Sequence, residues 1–354
     1  MLTTPPDISL IVPLLNEASE LPGLFASLAA QTGAVYEVIL CDGGSIDGSQ
    51  QVCRELGDRA AFPVHTVNTP RGRGRQMNAG AAAARSDLLL FLHADSRFSA
   101  TDALRIAVAA YRNRLRETTK PVAARFRLRF RRHEHQPSLA YYFNESKARL
   151  NRADCIRGDQ GYLLGRVDFE QLGRFDESWP YLEDIRLAAM VAERGEWLLL
   201  PTDISTSARR FEQEGFYERQ VANVIIVNAV AIGWDELLRA MPDLYRNSGA
   251  DGRLLLLPLL NNVRGLIDGH DSTWRQSFWR GTGRHVASNA WQLFFWLDVH
   301  RAYCTGKGPD QVEPRWLELY ERRLKSRFES RPAALLAELL TRIWFRWMLR
   351  RSRR

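Results

Sequence analysis

Four short apolar runs in the first hundred residues, each separated from the next by an amphipathic stretch, constrain the fold of this chain most. The runs cover residues 8–16, 36–44, 62–68 and 87–92, and the stretches between them have helical periodicity. Strands buried on both faces of a parallel sheet read as continuous apolar runs, because helices cover each face. This alternation therefore predicts an α/β fold, a mainly parallel sheet flanked by helices and joined by right-handed crossovers.

Polar residues and one glycine stand at the end of three of the four runs or just after it, where each predicted strand ends. They are Asn16 and Glu17 after the first run, Asp42 and Gly43 after the second, and His93 and Asp95 after the fourth. Ligands of open α/β sheets bind at the carboxyl ends of the strands, so these side chains indicate a site at one sheet edge. Each pair also has a structural interpretation: a helix cap for the first, a tight glycine turn for the second and a structural histidine for the third.

The segment PRGRGRQMNAG, residues 70–80, carries three alternate arginines, Arg71, Arg73 and Arg75. Such a segment is typical either of a phosphate or RNA contact or of an exposed loop. It lacks the third glycine of a dinucleotide-binding fingerprint, and no glycine-rich loop follows the first strand, which argues against a P-loop protein. Because no aromatic residues are interleaved with the arginines, we do not expect nucleic acid as a partner.

Three further patterns lie in the first two thirds of the chain. Arginines alternate with apolar residues over 123–132, which predicts a half-buried strand. We interpret its charged face as solvated rather than as an anion-binding face. The turn RGDQG occupies residues 157–161, and a helix predicted over 181–195 carries Glu183 and Asp184 in its first turn.

Helical patterns dominate beyond residue 213, and eight of the ten Trp residues lie at position 234 or later. We therefore divide the chain into an α/β domain, residues 1–212, and a helical extension, residues 213–354. The final AALLAELLTRIWFRWMLRRSRR combines large apolar side chains with spaced arginines, as helices at a membrane surface do. Packing of this helix on its own domain is an equal alternative. No apolar run reaches the ~20 residues needed to span a bilayer.

The charge and the cysteines narrow the choice of partners only slightly. A net charge of +8 suits anionic lipid or phosphorylated small molecules without choosing between them. The four Cys form no C-x-x-C pair, so we expect free thiols rather than a zinc site or a disulfide framework. The first residues, MLTTPPDIS, lack a basic segment followed by an apolar core, which favours the cytoplasm. The inner face of the membrane is the expected place if the C-terminal helix binds lipid.

Five blocks, taken together and in this order, resemble the family 2 glycosyltransferases of the GT-A fold over about residues 8–212. They are SLIVPLLNE, VILCDGGSIDGS, LFLHADSR, RGDQGYLL and YLEDIRLAAMVAERG. Within that family, RGRGRQMNAGAAAA, LHADSR and TSARR are similar to the subgroup labelled arsenosugar-biosynthesis glycosyltransferase, a label that does not establish a substrate. The resemblance implies a GT-A fold, a nucleotide-diphosphate sugar as donor and Mg²⁺ or Mn²⁺ as cofactor. It leaves the acceptor open, with lipid-linked molecules among the options.

The resemblance also implies roles for the matched positions. Asp42 contacts the nucleotide base, Asp95 is the metal-binding acid of the D-x-D element, and Asp184 is the catalytic base with Glu183 beside it. The other positions expected to bind the donor are Pro13, Asn16, Glu17, Gly43, Arg71, Arg75, Asn78 and Ala94. Those expected to border the acceptor are Gly158, Asp159, Gln160, Arg209 and Arg210. His93 stands where the family has the first acid of D-x-D, so the ion either binds more weakly or depends chiefly on Asp95 and the diphosphate.

The expected reaction is a single displacement that inverts the anomeric centre. A divalent ion stabilises the leaving diphosphate while a carboxylate takes the proton of the acceptor hydroxyl, so two acids are needed from separate segments. Asp95 and Asp184 meet that need. Two other classes stay open. A nucleotidyltransferase is disfavoured by the missing glycines, and a noncatalytic membrane-surface scaffold with an inactive transferase domain is disfavoured by the intact Glu183-Asp184 pair.

Overall fold

The computed structural model describes residues 5–134, 136–179, 181–247, 249–250 and 252–351, in two compact units. The first unit comprises Met1–Arg131 and Asn144–Ser207, and the second comprises Arg132–Phe143 and Ala208–Arg354. The division after Ser207 falls a few residues before the boundary predicted at 212. The second unit also includes a short segment that the prediction assigned to the first domain.

An eight-stranded sheet forms the centre of the first unit. Its strands are β1 (Ile8–Leu14), β2 (Tyr36–Asp42), β3 (Val64–Asn68), β4 (Leu88–Phe91), β5 (Arg97–Phe98), β6 (Val122–Arg131), β7 (Tyr162–Gly165) and β8 (Glu196–Ser207). They lie in the order β3-β2-β1-β4-β7-β6-β8-β5. β1 to β4 are mutually parallel and β6 is parallel to β8, whereas β7 and β5 are antiparallel to their neighbours. The predicted mainly parallel sheet is confirmed.

The core of this unit has two parts, one on each face of the sheet. Alternate residues of three strands enter different apolar clusters, Leu10, Val38 and Leu90 in one and Ile11, Ile39 and Leu89 in the other. Successive side chains of a strand point to opposite faces, so these strands are covered on both sides. The covering helices along this part of the chain are α1 (Leu21–Ala29), α2 (Ser49–Arg59), α3 (Arg73–Ala83), α4 (Ala103–Leu115), α5 (Leu139–Lys147), α6 (Arg166–Gln171) and α7 (Glu183–Arg194).

Three strands of the sheet, β5, β7 and β8, lie outside the predicted set. β7 has only four residues, too few for a distinctive pattern. β8 contains Pro201, which cannot donate to a ladder and normally argues against a strand. The pairing of β6 with β8 shifts register between Arg125 and Arg127, opposite Leu199 and Asp203, so Pro201 lies in the irregular part of the strand.

The predicted solvated face of β6 is wrong. Arg125 is fully buried and donates hydrogen bonds to the carbonyl oxygens of Ala148 and Leu150 and to Gln160 Oε1. Burial lowers the pKa of its guanidinium to about 10. Further along the strand, the Arg131 Nη2 donates to the carbonyl oxygen of Asp95. Arg125 and Arg131 therefore hold neighbouring segments in place, and the face is solvated only in part.

The second unit is helical, as predicted. Its helices are α8 (Arg209–Glu214), α9 (Phe216–Ile232), α10 (Asp235–Asn247), α11 (Leu256–Asp268), α12 (Ser272–Ser288), α13 (Trp291–Cys304), α14 (Arg315–Leu319), α15 (Lys325–Phe328) and α16 (Arg331–Arg351). A short antiparallel pair, β9 (Gly249–Ala250) and β10 (Arg253–Leu254), was not predicted. Within the described ranges, no helix combines the length and the apolar character needed to cross a membrane.

Candidate active site

The carboxyl ends of β1 and β2 lie side by side, because Leu14 pairs with Asp42 in the parallel register. Asp42 is buried, and its carboxylate accepts hydrogen bonds from Ser45 Oγ at 2.5 Å, from Gln50 Nε2 at 2.6 Å and from the N–H groups of Gly44 and Ser45. Burial alone would raise the pKa of Asp42, but these hydrogen bonds outweigh it and lower the pKa. Asp42 is thus an ionised hydrogen-bond acceptor at the sheet edge, and in this structure groups of the loop that follows it donate to its carboxylate.

Asn16 and Glu17 join the loop after β1 to the loop after β2. Asn16 Oδ1 accepts from the Ile46 N–H at 2.9 Å, and the Glu17 N–H donates to Ser49 Oγ at 2.9 Å. The alternative that these residues cap the next helix is wrong, because the capping position of α1 is Glu20, whose side chain makes no cap. Asn16 has a φ of 58°, a left-handed conformation that asparagine tolerates.

α3 packs its polar residues against the same edge. Gln76 Nε2 donates to the carbonyl oxygens of Leu14 at 2.6 Å and Cys41 at 2.7 Å, and so ties the helix to the ends of both strands. A Cβ on Gly43 would lie 3.0 Å from the amide of Gln76. Gly43 is buried and has little room for a side chain, so a glycine here lets α3 pack closely against the ends of both strands.

Asn78, predicted to bind the donor, is a structural residue. It is buried, its amide donates to the carbonyl oxygen of Phe175 and to Glu177 Oε1, and its Oδ1 accepts from the Phe175 N–H. Arg75 Nε lies 3.8 Å from Glu177 Oε2, whereas Arg71 is exposed in the loop before α3. The two remaining predicted donor residues are buried, Pro13 within β1 and Ala94 after β4.

Asp184 and His93 meet at Gly158, in the turn before β7. The Gly158 N–H donates to Asp184 Oδ2 at 2.9 Å. A Cβ on Gly158 would lie 3.2 Å from both His93 Nε2 and Asp184 Cβ. Three segments that are far apart in sequence, the end of β4, the turn at 158–160 and the start of α7, are thus brought together, as the prediction required.

Arg73, which the prediction left outside the site, is a cation of this cluster. It begins α3, pairs with the carboxylate of Glu183, and places its Nη2 3.8 Å from Asp184 Oδ1. Burial opposes its charge, but attraction to Glu183 and Asp184 outweighs burial and raises its pKa. Its position could have been predicted from the sequence. The arginine-rich segment follows β3, and parallel strands end at the same edge of a sheet, so this segment begins at the edge where the acids lie.

The three acids of the cluster titrate differently. Burial and the neighbouring Asp184 raise the pKa of Glu183, although Arg73 opposes them. For Asp184, burial acts in the same direction, but Arg73 and the Gly158 N–H outweigh it and lower the pKa. Burial, together with the charges of Asp184 and Asp95, raises the pKa of Asp159 to about 7. Asp184 is therefore ionised at neutral pH, whereas Asp159 is partly protonated.

Asp95 follows β4 and has one bonded and one unbonded oxygen. Its Oδ2 accepts from Thr206 Oγ1 at 3.2 Å, whereas its Oδ1 and the Oδ1 of Asp159 are buried without a hydrogen-bond partner among the described residues. Such oxygens suit a hard divalent cation, which binds one or two carboxylates and completes its shell with water and phosphate oxygens. In the part of the chain that the structure describes, no three His, Cys, Asp or Glu residues form a ready-made metal site.

The predicted acceptor residues are divided between the two units. Gln160 is buried, accepts from Arg125 and donates through Nε2 to the carbonyl oxygen of Cys155 at 2.8 Å, so its amide fixes the turn. Gly158 and Asp159 belong to the acid cluster described above. Arg209 and Arg210 are the first two residues of α8, in the second unit.

Residues 9–168 match the sequence model described as Glycosyl transferase family 2. A PGL/p-HBAD biosynthesis glycosyltransferase of Mycobacterium bovis is 37% identical over 110 residues, 30% of this chain and 41% of that protein. A 4,4'-diaponeurosporenoate glycosyltransferase of Staphylococcus haemolyticus is 33% identical over 110 residues, 30% of this chain and 29% of that protein. The chain thus matches less than half the length of these relatives.

Among solved structures, a mannosyltransferase from Pyrobaculum calidifontis in complex with GDP-Man and Mn²⁺ has a TM-score of 0.48 and 15% identity, over 97% of this chain and 88% of that chain. The sheet order and the family match confirm the predicted α/β fold of the GT-A type with a helical C-terminal region. The matches support the resemblance to family 2 glycosyltransferases, and none of them confirms the arsenosugar subgroup.

Proposed function

We propose that this chain, whose residues 9–168 match glycosyl transferase family 2, is a glycosyltransferase that moves a sugar from a nucleoside-diphosphate sugar to an acceptor hydroxyl with inversion. One observation carries the proposal: at the carboxyl edge of the sheet, the ionised Asp184 lies in the same cluster as buried carboxylate oxygens that lack hydrogen-bond donors. The names of the two curated relatives support the same reaction class.

The donor nucleoside is placed at Asp42. Its carboxylate is buried and ionised, and it is held by Ser45 and Gln50, whose hydrogen bonds a base or ribose donor would replace. Gly44, two residues beyond Asp42, is exposed, and a Cβ there would meet nothing within 4 Å, so the loop leaves space for a ligand to approach its backbone. Arg71, exposed in the loop that leads into α3, is available for the diphosphate.

A divalent ion, Mg²⁺ or Mn²⁺, would be held by Asp95 with Asp159 beside it, because both have buried oxygens without a donor. When bound, the ion supplies positive charge that stabilises the leaving diphosphate. His93 lies beside the turn at Gly158. Its charge makes a smaller contribution than Arg73 and the Gly158 N–H to lowering the pKa of Asp184. Coordination of the ion by His93 stays a prediction.

Asp184 is proposed as the base that takes the proton of the acceptor hydroxyl. Its Oδ2 is fixed by the Gly158 N–H, whereas its Oδ1 lies beyond hydrogen-bond distance of Arg73 Nη2 and has room to accept a proton. The lowered pKa keeps Asp184 ionised but makes it a weak base, so transfer is expected late, once bond formation has made the hydroxyl acidic. Glu183 positions Arg73 through their ion pair.

Contact with a membrane surface is part of the proposal for the second unit. α16 exposes six large apolar side chains, each about half accessible to solvent, which we call the apolar stripe: Leu335, Leu336, Leu339, Leu340, Ile343 and Trp347. The opposite side of the helix is packed, with Phe345, Met348 and Leu349 buried. Docking on its own domain and an outward apolar face therefore coexist in one helix. The stripe suits the interfacial region of a bilayer, and it keeps a lipid-linked acceptor among the options.

The experiment that tests the donor assignment is calorimetric titration of the full chain with UDP, GDP, ADP, CDP and dTDP, with and without Mn²⁺. We expect at least one diphosphate to bind tenfold or more tightly with the metal. Absence of binding by all five would contradict the proposal. Tight binding of nucleoside triphosphates, with release of pyrophosphate, would favour the nucleotidyltransferase alternative.

A further inference from the structure

α11, α12 and α16 enclose a pocket of about 560 Å³ in the second unit, which we call the arginine pocket. Its lining includes four arginines and a single acid, Arg264, Arg275, Arg342, Arg346 and Asp268. Like charges gathered in one cavity repel one another, so the arrangement has a net positive potential that an anion would relieve. None of these residues belongs to the candidate active site.

The acids near the arginine pocket neutralise it only in part. Arg264 Nε lies 3.9 Å from Asp268 Oδ2, the outer limit of an ion pair, and Arg342 pairs with Glu338 at 2.7 Å. Arg342 Nε is nevertheless buried without a hydrogen-bond partner, and within the described ranges Arg275 and Arg346 form no ion pair. A buried donor without an acceptor is costly, so Arg342, with the half-buried Arg275 and the exposed Arg346 beside the same pocket, favours a ligand with several acceptor oxygens.

The floor of the pocket is apolar. Trp279 of α12 contacts Phe345 of α16 edge to face, with ring centroids 6.0 Å apart, and the guanidinium of Arg342 lies 5.1 Å from the centroid of the Trp279 ring. Leu349 completes this surface. A free phosphate would use the arginines but leave the aromatic floor unused. A ligand that joins a phosphate to hydrocarbon uses both.

The arginine pocket and the apolar stripe both include residues of α16. Arg346 lines the pocket, and Ile343 and Trp347 of the stripe lie three residues before it and one residue after it. At 100° per residue, these positions fall on adjoining sectors of α16. A lipid bilayer in contact with the stripe would therefore bring its head groups to the level of the pocket.

We propose that the arginine pocket binds the phosphate of an anionic phospholipid, with the start of its acyl chains against Trp279 and Phe345. The inference rests on the membrane contact proposed above for the apolar stripe. It adds a defined head-group site to that contact, so the second unit would select anionic lipid by stoichiometric binding as well as by general charge attraction. Planar guanidinium groups suit this task because they bind phosphate oxygens in pairs.

The test is calorimetric titration of the full chain with dihexanoyl phosphatidic acid below its micelle concentration. We expect saturable binding of one lipid per chain, weakened at least tenfold in Arg275→Gln/Arg346→Gln. A control, Arg239→Gln/Arg253→Gln, removes the same charge from exposed arginines of the same unit and should bind within twofold of wild type. Melting curves check the fold, and if the double pocket variant is destabilised, Arg346→Gln alone replaces it with a smaller loss expected.

Further titrations distinguish a phospholipid from a free phosphate as the ligand, and the arginine pocket from the membrane contact of the apolar stripe. Equal affinity for inorganic phosphate or glycerol 3-phosphate would overturn the lipid assignment, and equal lipid binding by the pocket and control variants would overturn the site. The stripe variant Leu336→Gln/Leu340→Gln should keep affinity for the short-chain lipid but lose binding to vesicles of phosphatidylcholine with phosphatidic acid. If the wild-type chain binds the short-chain lipid but no vesicle, the result supports the lipid site in the pocket. It contradicts only the proposed membrane contact of the apolar stripe.

Discussion

At the scale of residues, two adjacent acids that face the same guanidinium group have pKa values shifted in opposite directions, because burial and Asp184 outweigh the guanidinium only at Glu183. Arg73 pairs directly with Glu183 but lies farther from Asp184, which also accepts the Gly158 N–H. The result is one carboxylate with a raised pKa and one with a lowered pKa at consecutive positions. Neighbouring acids whose pKa values are shifted apart are a common arrangement in sites of acid–base chemistry.

The first prediction concerns the base. Asp184→Asn keeps the volume of the side chain and can still accept the Gly158 N–H, but it cannot take a proton. We expect turnover to fall by ~10²–10⁴-fold, the usual contribution of a general base, with donor affinity within about twofold. Turnover and donor calorimetry measure the two effects. Glu193→Gln, on the exposed side of the same helix, is the matched control. Near-normal turnover would transfer the role to Asp159 or Glu183.

The second prediction concerns the metal. Asp95→Asn replaces a carboxylate whose Oδ1 is buried without a donor by an uncharged amide. We expect the gain in nucleoside-diphosphate affinity on adding Mn²⁺, tenfold or more in wild type, to fall below threefold, because the ion loses its charged ligand. Asp58→Asn, at an exposed position of α2, should behave as wild type. A full Mn²⁺ response in Asp95→Asn would reject this residue as the ligand.

Sequence reasoning found the acids of the site more readily than their partners. Asp42, Asp95 and Asp184 were predictable because each follows a strand or starts a helix at one edge. Arg73 and the burial of Asn78 depend on packing between α3 and a loop about a hundred residues away, which no local pattern shows. Gln160 was assigned to the acceptor, but its partner Arg125 is a buried charge that alternation predicts to be solvated.

At the scale of elements, polar groups between strands stabilise the sheet that presents the site. Glu37 of β2 is fully buried and accepts from Ser9 Oγ of β1 at 2.6 Å and from Arg85 Nε at 2.7 Å. Burial would raise the pKa of Glu37, but these bonds, with the Arg85 N–H, outweigh it and lower the pKa. The ionised acid therefore joins β1 to β2 and to the segment that precedes β4.

The third prediction is that ionisation of Glu37 makes the free energy of unfolding depend on pH. An acid whose pKa is lowered by folding contributes stability above its ordinary pKa of 4.5 and loses it as the pH falls through the folded value. Glu37→Gln should therefore reduce the free energy of unfolding by about 1–3 kcal/mol at pH 7, and by clearly less at pH 3.5. Urea denaturation at both pH values measures the difference. A deficit that is equal at both values would exclude ionisation as the cause.

The fourth prediction tests the close packing of α12 on α16. A Cβ on Gly283 would lie 2.5 Å from the carbonyl oxygen of Ala334 and 2.8 Å from Glu338 Cβ, so Gly283→Ala must separate the helices. We expect a loss of about 1–3 kcal/mol, seen as a lower melting temperature. Gly265→Ala, in α11, meets nothing within 4 Å and should be neutral or stabilising, because alanine favours a helix. Equal melting of both variants would contradict the packing.

Elements differ in how far the sequence predicts them. β1 to β4 are buried on both faces or paired in regular succession, so their apolar runs and intervening helices specify them. β8 is the opposite case, since Pro201 interrupts it and its pairing depends on an irregularity opposite β6. The packed side of α16 was also not distinguishable from its exposed side, because both carry large apolar residues. Only the positions of α11 and α12 decide which side is covered.

At the scale of the whole molecule, the two units carry different chemistry. The first presents carboxylates at the edge of a sheet, which suits a metal-bound diphosphate. The second presents an apolar stripe and an arginine pocket, which suit an anionic lipid surface. The sequence predicted both characters from composition and order. It could not predict the arginine pocket, because its residues come from three helices that are brought together only by folding.

The most direct test of the central claim is the product formed from nucleotide sugars. The full chain is incubated with UDP-, GDP- and dTDP-sugars with Mn²⁺ and, separately, with a chelator, and the nucleotides released are separated by chromatography. We expect a nucleoside diphosphate to be released from at least one donor, and this release to require the metal. With an acceptor present, Asp184→Asn should lose the release. Release of a nucleoside monophosphate or pyrophosphate instead, or no turnover of any donor, would contradict the central claim.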